Sequence, residues 1–195
     1  MTMVTERNTA LRSMHDAGLA AWFGGSLMGA IGLNGAAAKA PEQRERLQIS
    51  SAGWDRWAPV NLAAIGTHLV GAAGLLADNK SRLTGQRGVA AMSAAKASLT
   101  AAALAATAYS RRVGHQLERE QDRGQDLPTV GVTEPAATTP APVRAAQRRQ
   151  RVAQWAVPAL TGALIAVSAF AGEQQRPRSV VRGVAGRLRE AILPR

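Results

Sequence analysis

The stretch that decides the fold is residues 15–37, "HDAGLAAWFGGSLMGAIGLNGAA". Glycine costs a helix in water about 1 kcal/mol relative to alanine. Yet His15, Gly18, Trp22, Gly25, Gly29 and Gly32 recur at alternating steps of three and four, which places them along one helical face. A glycine stripe lets a second backbone approach closely, and the solvent in which helices commonly use that device is lipid. The stretch predicts a membrane helix.

The chain has 195 residues, with 24 Lys and Arg against 13 Asp and Glu, for a net charge of +11. It has no cysteine, which excludes a disulfide framework, a thiolate metal site and a cysteine nucleophile. A mean hydropathy of −0.09 averages very apolar blocks with very charged ones. The basic residues sit between the apolar blocks rather than in a stripe interleaved with aromatics, so no nucleic-acid partner is expected.

Outward from the opening stretch, four segments reach the roughly 20 apolar residues needed to cross a hydrocarbon core. They are residues 17–38, 58–77, 89–110 and 152–172. The expected fold is therefore all-α: an integral membrane protein with four transmembrane helices in an antiparallel bundle. An N-terminal arm (1–16), a loop (111–151) and a basic tail (173–195) complete it. The first span also has the outline of a signal peptide, but its length and glycine stripe favour retention.

Aromatic placement agrees with a membrane. Trp54 and Trp57 precede the second span, Trp155 opens the fourth, and Tyr109 and Phe170 end the third and fourth. Trp22 and Phe23 lie near the start of the first span, where they read as interfacial anchors. A water-soluble alanine-rich bundle is the alternative, and it would use aromatics centrally. Small residues offer a packing seam on each span: Gly25 and Gly29; Ala63, Thr67 and Gly71; Ala94, Ser98 and Ala102; Ala159 and Ala163.

Charge does not set the orientation, since eleven Lys and Arg fall on the side of the termini and twelve on the other. In residues 179–193, Val181, Val184, Leu188 and Ile192 share a face opposite Arg182, Arg187 and Arg189, the pattern of a helix lying on an anionic lipid surface. That favours both termini in the cytoplasm. Residues 124–143, punctuated by proline among Thr and Ala, read as an extended, mobile linker, and His115 beside them reads as solvated.

Ionisable groups within a membrane mark functional sites by default. Here they are Lys96 in the third span, His68 near the middle of the second, and His15 with Asp16 at the start of the first, where Asp16 can neutralise Lys96 or His15. His15 followed after six residues by Trp22-Phe23-Gly24-Gly25 resembles the first helix of small four-helix membrane proteins of the CopD-type copper-resistance and HemJ-type protoporphyrinogen oxidase families. The later-helix Lys96 extends the likeness to the HemJ type. The resemblance covers about eleven residues and one lysine. It implies a haem or porphyrin site between helices, with His15 as ligand and Lys96 near a propionate; Trp22 and His68 are further cofactor-binding candidates, since two imidazoles and one amine are enough to hold a tetrapyrrole or copper.

Read from the residues alone, His15 and Trp22 are interfacial anchors, His68 hydrogen-bonds across helices and Lys96 snorkels to the headgroups. Three functions stay open. The favoured one is a non-enzymatic accessory or structural membrane component, packing through glycine and alanine faces with itself or a larger membrane complex. The second is a haem- or copper-handling protein with an oxidoreductase role. The third is a small transporter or channel lined by Asn61, Thr67, His68 and Lys96.

Overall fold

The structure is a computed structural model that describes residues 9–78, 87–123 and 129–174. The proposed lipid-surface residues Arg182, Arg187 and Arg189 lie outside them. All named elements are helical: α1 (Thr9–Met28), a π-helical turn (Gly29–Leu33), α2 (Asn34–Ala37), α3 (Gln43–Asp78), α4 (Arg87–Asp122) and α5 (Ala141–Gln174). Two of them, α3 and the part of α5 from Ala141 to Phe170, are long and apolar enough to cross a membrane. The expected first and third spans fall short of that test. Glycine, Ser, Thr and charged residues dilute α1 and α4, where alanine rather than leucine supplies most of the apolar surface.

The helices run past the expected span limits. The second span is the C-terminal part of a 36-residue helix that begins at Gln43, so most of the expected loop before Trp57 is helical. α1 packs lengthwise on α3, α4 on α5, and α1 on α5, while α3 and α4 touch at only a few positions. The bundle is thus two tight pairs joined along one edge, with a cleft along the other.

The glycine stripe explains the α1–α3 pair. A Cβ on Gly18 would stand 2.5 Å from the Ala64 carbonyl oxygen and 2.5 Å from the His68 nitrogen. One on Gly71 would collide with the backbone of Leu11 and His15. Further along, Gly25 lies under the Trp57 ring and Gly29 under the Trp54 ring. All these partners belong to the chain itself, so the stripe expected to receive another protein is occupied from within.

Gly32 departs from the stripe. It is exposed, and the nearest atoms to its missing Cβ belong to Met28 of the same turn. The π turn adds a residue to the local repeat, carrying Gly32 outward and Asn34 inward.

The inward faces of the other helices are rotated from the expected seams. On α3 the buried line is Ala64, His68 and Gly71; on α4 it centres on Ala103; on α5 it is Val157, Thr161 and Leu164. Ala94, Ser98 and Ala102, and likewise Ala159 and Ala163, face outward. On α5 the larger Val157 and Leu164 take the inside, where they fill a gap between helices, while on α3 and α4 alanines one position along, Ala64 and Ala103, are the buried ones. Leu19, Trp22, Ile65, Ala103, Val157 and Leu164 form the central core, and Ala37, Leu47, Val113, Leu117, Val132, Val143 and Ala146 a second one at the end away from the N-terminus.

The expected mobile linker is in part a folded cap. Thr129 and Val132 are buried, and Thr129 bridges to Pro135. The Arg46 guanidinium donates to the carbonyls of Thr129 at 3.0 Å and Val130 at 2.9 Å, and Gln147 donates to Thr129 Oγ1 at 3.2 Å. Proline excludes a helix here, but side chains from α3 and α5 supply the hydrogen bonds that the turn's backbone lacks.

Gly71→Ala is expected to lower the melting temperature in detergent, with a cost of roughly 1–3 kcal/mol for the backbone shift it forces. Gly24→Ala, where nothing lies within 4 Å of the added atom, is expected to leave stability unchanged or raise it slightly.

Candidate functional site

The histidine end of the bundle is built on the same close approach. With Gly18 facing the His68 backbone and Gly71 facing the His15 backbone, α1 and α3 come near enough for the two imidazoles to stack. Their centroids are 4.5 Å apart at an interplanar angle of 46°. The His68 ring, 0% exposed, meets the His15 carbonyl oxygen through Nδ1 at 3.1 Å. A carbonyl only accepts, so Nδ1 carries the proton and donates. His68 Nε2 is buried without a partner.

His15 Nδ1 bonds the Asp16 carboxylate at 2.7 Å, which orients the ring. Asp16 thus serves His15; no ion pair with Lys96 forms among the described residues. Trp22, one heptad beyond His15, is 0% exposed and lies 6.2 Å from His68. Its Nε1 donates to Thr107 Oγ1 at 3.2 Å, and that hydroxyl donates onward to the Ala103 carbonyl at 2.8 Å. Trp22 is therefore a core residue tying α1 to α4, not an interfacial anchor.

A cavity of about 380 Å³ opens beside this stack, lined by Arg12, His15, Asp16, Lys96 and Ser168 with apolar neighbours from α1, α3 and α5. The structure thus brings His15 and Lys96 to one cavity, with His68 and Trp22 packed behind. Ser168 Oγ is buried and unpartnered, so it makes no bond to His15 and no Ser-His-Asp relay is assembled.

A haem held between the two imidazoles does not fit this arrangement. Axial histidines must stand on opposite faces of the macrocycle with iron between them. Here the rings touch each other, and one of them is fully enclosed. Copper fares no better, since no group of three His, Cys, Asp or Glu among the described residues is placed to hold a metal ion.

The opposite end carries a polar network that the sequence reading missed. Asn34 Oδ1 accepts from Ser50 Oγ at 2.9 Å and Trp54 Nε1 at 3.1 Å, while Asn34 Nδ2 donates to Gln154 Oε1 at 2.7 Å. Gln154 Nε2 then donates to Thr133 Oγ1 at 3.3 Å, joining the cap to the bundle. The available signal was the helical spacing of Gln147, Gln150 and Gln154, a glutamine stripe that faces inward. His115, expected to be solvated alone, is paired with Glu118 at 2.7 Å.

Neither protein-family models, curated proteins nor solved structures match the chain. The likeness to the CopD and HemJ types therefore rests on the first-helix residues and Lys96 alone.

Protein purified in mild detergent from cells supplied with a haem precursor is expected to show no stoichiometric Soret band. A band present in the parent chain and absent from His68→Ala would mean that the stacked rings part to admit iron.

Proposed function

We propose that the chain is a multi-pass membrane protein whose four long helices all cross the bilayer, acting as a non-enzymatic accessory or structural component of a membrane assembly. One observation carries this reading: the bundle leaves many large apolar side chains outside while it encloses polar ones among its apolar cores. Only 22% of the apolar stretch of α3 and 33% of that of α5 is buried. Val60, Leu62, Leu69, Val70, Leu76, Val152, Ile165 and Phe170 point outward, while His68, Gln147, Gln154 and Thr161 are enclosed. Water would select the reverse arrangement, whereas lipid accepts it.

The assembly role follows from what the fold leaves outside. Gly18, Gly25, Gly29 and Gly71 are used within the chain, but the alanine and serine faces of α4 (Ala94, Ser98, Ala102) and α5 (Ala159, Ala163) remain on the surface, where a further membrane helix can lie close. A second copy or a larger complex is the partner this favours. Transport finds less support, because Leu19, Trp22, Ala103 and Leu164 form a packed layer between the two ends. Both termini are assigned to the cytoplasm, and membrane lipid is the surrounding partner.

Single cysteines in this cysteine-free chain test the reading. In intact cells, Arg148→Cys is expected to react with an impermeant maleimide, Arg12→Cys only after permeabilisation, and Leu69→Cys only after the membrane is dissolved. Rapid labelling of Leu69→Cys in intact membranes would refute a lipid-facing α3.

A further inference from the structure

Where α3 and α4 part, they enclose a cavity of about 350 Å³, within the usual range of small-molecule sites. Trp54, Trp57 and Asn61 of α3 face Thr107, Ser110 and Arg111 of α4 across it. Gln150 and Val157 of α5 close its floor. Three polar atoms in this lining are buried with no hydrogen-bond partner: Trp57 Nε1, Asn61 Oδ1 and Gln150 Oε1. Trp57 and Asn61 are four residues apart and so adjacent on one helix face. Gln150 is held in place by its other amide atom, which donates to Ser110 Oγ at 3.1 Å.

The three atoms define what can complete them. An indole N–H donates, and two amide oxygens accept. A group that both donates and accepts satisfies the set, which describes hydroxyls rather than a carboxylate, a phosphate or a carbonyl alone. The charged groups of the lining point the same way. The Arg111 cation is balanced by Asp55 at 3.0 Å, and the Glu118 carboxylate, hydrogen-bonded to His115 at 2.7 Å, disfavours an anionic ligand. Apolar groups, Leu47, Ile65, Leu117 and Val157, stand beside the two tryptophans, among neutral hydroxyl and amide side chains such as Ser50 and Thr107.

The route of entry also narrows the ligand. Leu62 lines the cavity and is 71% exposed on the outer face of α3, so the mouth opens onto the apolar surface of the bundle. Resting on the membrane reading above, that surface is bilayer. We propose that the cleft between α3 and α4 binds one neutral lipid with a hydroxyl-bearing head, of the acylglycerol type, which enters sideways past Leu62 and bonds Trp57, Asn61 and Gln150 through its hydroxyls. Its chain lies against Trp54, Ile65 and Val157.

The test is photolabelling of the full-length chain in phosphatidylcholine nanodiscs with a diazirine-bearing monoacylglycerol. Labelling is expected at about one per chain, in peptides from α3 and α4 that line the cleft, with competition by unlabelled monoacylglycerol and none by phosphatidic acid. Asn61→Leu is expected to weaken labelling about five-fold, the loss of one hydrogen bond. Leu62→Trp, a change at an exposed position that leaves the core packing alone, is expected to weaken it as well by narrowing the mouth. Labels scattered over the outer face and insensitive to both substitutions would overturn the site, as would equal competition by phosphatidic acid. Saturable labelling at the cleft by chain that stays in micelles and does not enter nanodiscs would uphold the site while removing the membrane reading.

Discussion

The contact between two helix backbones at Gly18 and Gly71 is the constraint from which the rest of the bundle follows. No side chain separates α1 from α3 there, so the His68 ring has nowhere to go except against His15 and its carbonyl. The same crossing lays Trp57 and Trp54 over Gly25 and Gly29 further along the pair. Having spent its small face on α3, α1 meets α5 through bulkier groups such as Phe23, which rests 3.1 Å from where a Gly162 Cβ would stand. α4 is then held by α5, by the Trp22–Thr107 hydrogen bond and by the Arg111–Asp55 pair, and its separation from α3 leaves the cleft.

The interior built this way is unusual in its polarity. Asn34, Ser50, Gln154 and Thr133 form one continuous chain of hydrogen bonds, while neighbours on the same helices, Ile31, Ile49, Val152 and Trp155, are exposed. A hydrogen-bonded interior is costly in water unless every member is satisfied. In lipid, where no solvent competes, such a network is a natural adhesive between helices. Among the described residues, the buried side-chain atoms without partners include Ser168 Oγ at one cavity, with His68 Nε2 packed behind it, and Trp57 Nε1, Asn61 Oδ1 and Gln150 Oε1 at the other; Gln147 Oε1 lies under the cap. Both ends therefore have chemistry in reserve, and the packed layer around Trp22 keeps them apart.

Much of this was legible in the residues. The spacing of Gly18, Gly25 and Gly29 announces a close helix contact, because glycine in a helix interior is expensive unless something uses the space. The cross-helix hydrogen bond of His68 and the service of Asp16 to His15 were both within reach of simple charge and burial arguments. The identity of the partner was not, since a stripe says that a backbone approaches without saying whose. Gly71 was placed correctly, but the alanine-based parts of the seams on α3, α4 and α5 were misplaced by one or two residues, because alanine carries too little contrast to fix a helix's rotation. Trp22 looked like an anchor from its place near the start of the first span, and only the tertiary position of Thr107 makes it a core residue. The turn at residues 129–140 was hidden for a related reason. Its proline and threonine rule out regular structure, and its order comes from Arg46 and Gln147, distant in sequence.

The most direct test of the α1–α3 contact is an oxidative cross-link. A Cβ on Gly74 would stand 3.1 Å from Leu11 Cγ, so Leu11→Cys with Gly74→Cys places two thiols within bonding reach in a chain that has no other cysteine. In native membranes the account predicts a disulfide within single chains, with the monomer retained on a denaturing gel and both thiols lost to labelling. Cross-linking only between copies, or none at all, would contradict it and assign the glycine face to another molecule.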